Sequence, residues 1–265
     1  MFFDSLFHAY MLIKTYRKDA VNMDMRETVR WRVGVGDVDR AGFIRPSALA
    51  LKLASSGARR NREEGASKDR IWAELKAVWM FRRIRLCQLE HIRLGDELAG
   101  MGSGRTVCEN EYALRGELYK NGRLAARADM IMMPVVLGSR KRLLCRDIEP
   151  FFNTRPLNEV SPPEPLPAEK GLIYDRRRHI SMGDCDTQAR HFAFHSYVGL
   201  VCRETGFGDL EHPLIPLLQI DYIKEIAPGG TLDLGVLAGA EGYFIAGKHL
   251  SGKLCFRASC RYTGG

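Results

Sequence analysis

Apolar and polar residues alternate along this chain in two patterns, one typical of strands and one typical of a helix. In the first half, a strand-like stretch over 28–35 precedes a helical run that begins at Pro46 and ends at Gly65. Further strands are predicted over 77–89, 106–120 and 123–136. The dipeptide Asn121-Gly122 favours a tight hairpin between the last two. The first half is therefore predicted to be a strand, a helix and an antiparallel meander.

The second half repeats this order of elements. A strand is predicted over 178–182, a turn over 184–190, and a helix over 192–204 that Gly206 ends. Further strands are predicted over 217–226, 232–238, 243–250 and 253–262. The two halves thus share one predicted sequence of elements.

A short motif marks the same place in both halves. The tetrad Gly36-Asp37-Val38-Asp39 returns as Gly183-Asp184-Cys185-Asp186, 147 positions later (184 minus 37). A four-residue match is weak alone, but here the surrounding elements match as well, which indicates one fold written twice. One helix cannot cover a sheet on both faces. We therefore expect each sheet to wrap around its helix and the two units to pair through their sheets.

Prolines divide the chain. Six of the eleven prolines fall between 150 and 167, and because proline fixes φ and cannot donate to a strand ladder, this region is predicted to be an extended linker over 151–170. The first domain is then 26–150 and the second 171–265. Residues 1–25 form an N-terminal extension without the pattern of a secretory signal.

The composition is that of a globular protein with a basic surface. Hydrophobic residues make up 45% and charged residues 27%, with a formal charge of +8. The basic residues are dispersed and no zinc-finger or RNA-binding motif accompanies them, so we expect no nucleic-acid partner. A basic surface also suits an acidic protein or a ligand that carries phosphate.

The cysteines and the lengths of the apolar runs favour a cytoplasmic protein without a membrane span. There are seven cysteines, an odd number without a CxxC pair, which favours reduced thiols in a cytoplasmic protein. No apolar run reaches the ~18 residues that a spanning helix needs, so no membrane span is expected.

Several runs together resemble a known family. They are 39–42, 95–96 and 121–125 in the first half, and 184–191 and 221–225 in the second. Their order, with an Asp before a central helix, resembles the hotdog fold. Two tandem copies with a proline-rich join resemble the acyl-acyl-carrier-protein thioesterases, in the superfamily of 4-hydroxybenzoyl-CoA thioesterases. The resemblance implies an α+β double hotdog, two tandem units each with an antiparallel sheet wrapped around a central helix.

The resemblance also implies site residues. In that family the second hotdog typically carries Asp-x-Asn-x-His on the turn and a Glu on the later strand. Asp186 matches the Asp and Glu225 the Glu, while Gln188 stands at the Asn position with one more methylene. Arg190 stands at the His position and His191 one residue later, so one inserted residue would return His191 to that role. Catalytic roles are therefore expected for Asp186, Gln188, His191 and Glu225.

The chemistry of these residue types is consistent with that expectation. Thioester hydrolysis needs an activated water or a carboxylate nucleophile, and donors for the developing oxyanion. A carboxylate before a helix suits the first task and the helix N-terminus the second, as for Asp186. Asp39 offers a second carboxylate before a helix, although Pro46 at the start of that helix has no N–H to donate. His191 would serve as acid or base, and Glu225 would raise the pKa of a neighbouring carboxyl group.

Plainer interpretations exist for the same residues. Asp39 and Asp186 would serve as helix caps in an ordinary protein. His191 and His195, four apart, are spaced like a metal pair, but no acidic third ligand lies on that helix face, so neither a metal nor a cofactor is expected. Beside the catalytic set, Asp39, Arg190 and Phe192 are expected to contact the substrate.

Three hypotheses of function follow. The first is hydrolysis of acyl thioesters of an acyl carrier protein or coenzyme A, as in fatty acid biosynthesis. The second is a hydratase or dehydratase that uses His191 with Glu225 or Asp39. The third is a degenerate double hotdog that binds an acyl ligand without catalysis. The two tandem copies can pair with each other through their sheets, so either a pseudo-dimeric monomer or a homodimer is expected.

Overall fold

The structure is a computed structural model that describes residues 29–56, 68–148, 162–168, 171–186, 189–211, 213–240 and 242–263. The predicted N-terminal extension and most of the predicted linker lie outside these ranges. The strands are β1 Val29–Arg32, β2 Ala77–Gln88, β3 Glu97–Cys108, β4 Glu111–Lys120, β5 Arg123–Val136, β6 Tyr174–His179, β7 Leu214–Tyr222, β8 Thr231–Gly239, β9 Gly242–His249 and β10 Leu254–Thr263. The helices are α1 Pro46–Ala54, α2 Lys68–Leu75, α3 Cys145–Ile148 and α4 Phe194–Glu204.

All these strands belong to one antiparallel sheet, and its order reveals a duplication. The order is β1-β3-β4-β5-β2-β7-β10-β9-β8-β6. Adding five to each number of the first half, β1-β3-β4-β5-β2, gives β6-β8-β9-β10-β7, which is the order of the second half read from its outer edge, so the two halves have identical topology. We call β1–β5 with α1 lobe 1, and β6–β10 with α4 lobe 2. The lobes meet at β2 and β7, where Ile84 lies opposite Ile220. The predicted α+β double hotdog is confirmed.

The two long central helices lie on one face of the sheet and contact each other. The apolar sides of α1 and α4 are buried, with Leu49 and Leu53 of α1 and Val201 of α4 fully inaccessible to solvent. α1 approaches the sheet so closely that a Cβ added at Gly116 would collide with the carbonyl group of Leu53. Gly116 is therefore required for the helix to sit in the concave sheet. No helix in the described ranges is long and apolar enough to cross a membrane.

Strand β3 was missed by the sequence pattern, and the strand predicted over 106–120 is wrong at its start. The structure has a turn at 109–110 between β3 and β4. β3 contains Gly100, Gly102 and Gly104, which give it little apolar signal. A Cβ at Gly100 would collide with the Trp31 ring. The ring of Trp31 thus occupies the space that a side chain at position 100 would need.

The first central helix is shorter than predicted. It ends at Ala54 rather than at Gly65, and residues 57–67 lie outside the described ranges. The Ser56 hydroxyl donates to the carbonyl of Lys52 at 3.1 Å, a local bond by which serine competes with helix continuation. Other boundaries differ by a few residues: α4 starts at Phe194 instead of 192, β6 covers 174–179 instead of 178–182, and β7 covers 214–222 instead of 217–226.

The described part of the proline-rich segment, 162–168, crosses the sheet at the junction of the lobes. Ile84 and Ile220 face the helices, so the alternating residues Arg83 and Asp221 face the opposite side of the sheet. There Arg83 donates to the Pro163 carbonyl at 2.6 Å, and the Leu166 N–H donates to Asp221 at 2.8 Å. The segment is therefore attached to both lobes.

Candidate active site

The duplicated tetrads form matching turns of unequal length. In lobe 1 the Asp39 N–H donates to the Phe43 carbonyl at 2.8 Å, and in lobe 2 the Asp186 N–H donates to the His191 carbonyl at 2.8 Å. The lobe 1 turn encloses 40–42 and the lobe 2 turn 187–190, so lobe 2 has one more residue. His191 accordingly stands where lobe 1 has Phe43.

Each aspartate side chain holds its own turn. Asp39 Oδ1 accepts from the N–H of Ala41 at 2.9 Å, and Asp186 Oδ1 accepts from the N–H of Ala189 at 2.7 Å. The helix N-caps are instead Arg45 and Ala193, so the interpretation of the aspartates as helix caps is wrong. Asp186 lies eight positions before α4 (194 minus 186), because a turn and a bridge between strands intervene.

A histidine on α4 lies near Asp186. His195, the second residue of α4, is partly buried, and within the described ranges its Nδ1 has no hydrogen-bond partner. Burial lowers the pKa of His195, and the nearby Asp186 carboxylate offsets part of this effect. Burial thus favours the neutral form of an imidazole that lies near a carboxylate. The matching position in lobe 1 is Ser47 (195 minus 148), so only lobe 2 has this pair.

Glu225 has a cationic partner from the other lobe. It is exposed in the loop after β7, not on the strand from which it was expected to reach the site. Its carboxylate lies 3.0 Å from the guanidinium of Arg140, which also donates to the Ala189 carbonyl at 3.4 Å. Arg140 follows β5 in lobe 1. It therefore joins lobe 1 to both the Asp186 turn and the Glu225 loop of lobe 2.

Aromatic residues surround the start of α4. The Phe194 ring stacks on Phe81 of lobe 1 with centroids 4.0 Å apart, and the Tyr222 hydroxyl donates to the Phe194 carbonyl at 3.1 Å. Phe192, expected to contact substrate, is only 3% exposed and packs on Tyr197 in the core. Its position supports the helix instead. The N–H groups of Phe194 and His195, the first two residues of α4, precede the first hydrogen bond of the helix, in which the Ser196 N–H donates to the Ala193 carbonyl at 2.9 Å.

The corresponding turn of lobe 1 is filled by its own charged side chains. Arg45 donates to the Gly36 carbonyl, and the Lys52 ammonium lies 2.9 Å from the Asp37 carboxylate. Pro46 begins α1, so the first N–H of that helix does not exist. In lobe 2 the positions of Arg45 and Lys52 hold Ala193 and Leu200 (each 148 positions later). The two copies therefore differ in charge and in the N–H groups that they present.

The remaining predicted residues are dispersed around this arrangement. Gln188 lies outside the described residues. Arg190 is exposed beside Ala189, with a positive φ of 49°. In the described ranges no group of three or more His, Cys, Asp or Glu residues could hold a metal ion. A cleft of about 210 Å³ elsewhere contains none of the predicted site residues; Thr106, Glu109, Leu144, Cys145 and Arg146 line it.

Sequence reasoning missed two residues of the site. The sequence pattern presents His195 only as half of a metal pair with His191, although the helix predicted over 192–204 also has His195 in its first turn. Arg140 belongs to the basic run 140–142, which was taken as dispersed surface charge. Its contact with Glu225 joins residues 85 positions apart (225 minus 140), which no local pattern can show.

Comparison with known proteins extends the assignment of the fold. No protein-family model matches the chain, and no curated protein matches it in sequence. Among solved structures, an acyl-ACP thioesterase from Bacteroides thetaiotaomicron is similar at a TM-score of 0.74 and 13% identity, over 89% of this chain and 97% of that chain. A 12:0-ACP thioesterase from Umbellularia californica is similar at 0.70 and 12%, over 90% and 97%.

HtdX from Mycobacterium tuberculosis is similar at a TM-score of 0.57 and 10% identity, over 88% of this chain and 98% of that chain. Each of these likenesses covers nearly the whole of both chains. At such low identity they show a common fold, and the structural resemblance to acyl-ACP thioesterases that the sequence predicted is confirmed at that level.

Proposed function

We propose that this protein is an acyl-thioester hydrolase whose active site lies in lobe 2, at the start of α4. The observation that carries the proposal is the Asp186 carboxylate near His195, whose buried Nδ1 has no hydrogen-bond partner among the described residues, at the N-terminus of a central helix. The double hotdog fold shared with two acyl-ACP thioesterases supports it.

The residues divide the reaction between them. Asp186, held by the Ala189 N–H, accepts a proton from the attacking water as general base. The first N–H groups of α4 donate to the oxyanion that forms as the water oxygen adds to the thioester carbon. His195 positions the water. It also takes part in the transfer of the proton from Asp186 to the departing thiolate. The products are a carboxylic acid and a thiol.

We assign Gln188, His191 and Glu225 supporting roles in this site. Gln188 orients the carbonyl or the water, as its amide allows. The His191 carbonyl closes the catalytic turn, and Glu225 pairs with Arg140 across the junction while no substrate is bound. Asp39 belongs to the lobe 1 copy, where it contributes to substrate binding rather than to the chemical step.

The substrates we propose are thioesters of an acyl carrier protein or coenzyme A, used in the cytoplasm in fatty acid metabolism. The support for this finer assignment is the net positive charge of the chain, which suits an anionic carrier, and the stack of Phe81 on Phe194 at the junction of the lobes, which suits an apolar acyl chain.

A panel of acyl-CoA and acyl-carrier-protein substrates of different chain lengths, assayed for thiol release, tests the proposal. We expect Asp186→Asn to lower kcat by about 10²–10⁴-fold, the usual contribution of a general base. The matched variant Asp39→Asn weakens the equivalent turn hydrogen bonds in lobe 1 and is expected to act on KM. Equal kcat values for wild type and Asp186→Asn would refute the assignment.

The same pair of residues favours one alternative. A neutral histidine beside a carboxylate is also what a hydratase or dehydratase uses to move a proton at the carbon next to a thioester. In that case the purified protein would convert 3-hydroxyacyl thioesters into enoyl thioesters. The formation of an enoyl chromophore without release of thiol distinguishes this activity from hydrolysis.

A further inference from the structure

Two arginines with a left-handed backbone lie on adjoining segments beside the candidate active site. Four described non-glycine residues have positive φ, and two of them are Arg140 at 55° and Arg190 at 49°. This left-handed conformation is unfavourable for a residue with a Cβ. Arg140 donates to the carbonyl of Ala189, the residue next to Arg190. The two guanidinium groups are therefore carried on adjoining segments of different lobes.

The duplication shows that the strain at Arg190 is avoidable. The Gly42 N–H donates to the Asp39 carbonyl at 3.1 Å, and the Arg190 N–H donates to the Asp186 carbonyl at 2.9 Å, so these residues are equivalent. Lobe 1 places glycine there, with a φ of 83°, where no Cβ is strained. Lobe 2 retains a long cationic side chain at the same place. The side chain of Arg190 is exposed and has no ion pair among the described residues.

The charges around these arginines favour an anion. Lys141 and Arg142 follow Arg140 and are exposed, and neither has an ion pair within the described ranges. Arg140 itself pairs with Glu225, but both side chains are substantially exposed, at 42% and 37%, so an incoming anion can compete for the guanidinium. Planar guanidinium groups bind phosphate through paired N–H donors.

We propose that Arg140 and Arg190 form a phosphate-recognition site at the entrance to the lobe 2 active site, which binds the phosphate of a phosphopantetheine arm. This inference rests on the proposed function, because both carrier protein and coenzyme A present their thioester on such an arm. The phosphate takes Arg140 from Glu225 and engages Arg190 from the opposite side. Arg190 is thus a specificity-determining residue for phosphorylated thioesters.

The direct test compares two arms with the same thiol end. Binding of 4′-phosphopantetheine and of pantetheine is measured by calorimetry on the full chain, and kcat/KM is measured for the acyl thioesters of both. We expect wild type to favour the phosphorylated arm by roughly 10- to 100-fold, the effect of one or two hydrogen bonds between charged groups. In Arg190→Gly that preference falls toward unity.

Arg190→Gly suits this test because it restores the glycine of lobe 1 and relieves the backbone, so unfolding does not confound the result. Arg140→Gly is the second variant, and Arg177→Ala, an exposed arginine of β6, is the control expected to keep the wild-type preference. A preference that survives in both Arg190→Gly and Arg140→Gly overturns the inference, as does a wild type that binds both arms equally.

The outcome also separates this inference from the proposed function. If no acyl thioester is hydrolysed but the phosphorylated arm still binds in preference and Arg190→Gly abolishes this, the hydrolase proposal fails and the phosphate site stands. If thioesters are hydrolysed without regard to phosphate, the reverse holds. The kcat/KM values for acyl-CoA and for acyl-carrier protein are both expected to fall in Arg190→Gly. The substrate with the higher kcat/KM in wild type then identifies the source of the phosphate.

Discussion

Replacing Asp221 with alanine tests how the lobes and the crossing segment are held together. The Asp221 side chain is 4% exposed and accepts from Arg83 at 2.8 Å, from Arg257 at 3.1 Å and from the Leu166 N–H at 2.8 Å. These donors come from β2 of lobe 1, β10 of lobe 2 and the proline-rich segment. One carboxylate thus joins three parts of the chain.

Removal of Asp221 leaves the Arg83 guanidinium, 9% exposed, without its charge partner. Breaking one side of a buried ion pair costs about 3–5 kcal/mol. For a chain of this size each kcal/mol corresponds to about 2–4 °C in melting temperature, so a fall of about 6–20 °C is expected. Asp221→Asn, which keeps the shape and one acceptor, should fall between this value and wild type.

Differential scanning calorimetry and urea unfolding measure the effect. Asp233→Ala is the control, because Asp233 pairs with the largely exposed Arg177 in lobe 2 and little change is expected. If Asp221→Ala melts within about one degree of wild type, the estimate from burial is refuted and the segment 162–168 does not depend on this carboxylate.

Three further predictions concern packing and titration. Gly116→Ala should destabilise the protein by about 1–3 kcal/mol in urea unfolding, because the new methyl group meets the Leu53 carbonyl. Because burial lowers the pKa of His195 below its ordinary 6.5, the unfolded chain binds a proton first as pH falls; stability should drop below about pH 6.5, and His195→Gln should flatten that slope. Burial raises the pKa of Cys87 to about 11, so this thiol should resist alkylation at pH 8 in the folded protein, as mass spectrometry of the labelled peptide would show.

The order of elements could be predicted because, in each lobe, the apolar residues of the helix and of most strands recur with the spacing typical of that element. The repeated tetrad located both turns, and the pattern of apolar residues located β2, β5 and α4 to within a few residues. β3 was missed because Gly100 and Gly104 lie against the aromatic rings of Trp31 and Tyr112, which belong to other strands. Such a strand has no apolar pattern of its own.

The site could be predicted only as far as it is local. The repeated tetrad pointed to Asp186 as a candidate, and the Asp186 side chain accepts from the Ala189 N–H within the lobe 2 turn. The partnership of Asp186 with His195 depends on how a turn folds back over a helix, and that of Glu225 with Arg140 depends on how two lobes meet. Neither pairing can be predicted from a local sequence pattern. The left-handed backbone at Arg190 became informative only through comparison with Gly42.

A crystal structure with a non-hydrolysable analogue of an acyl pantetheine thioester tests the central claim most directly. The account predicts that the carbonyl oxygen lies within hydrogen-bonding distance of the first N–H groups of α4, with the Asp186 carboxylate on the side from which water attacks. An analogue bound at the start of α1 beside Asp39, or in the cleft near Cys145, with α4 unengaged, would contradict it.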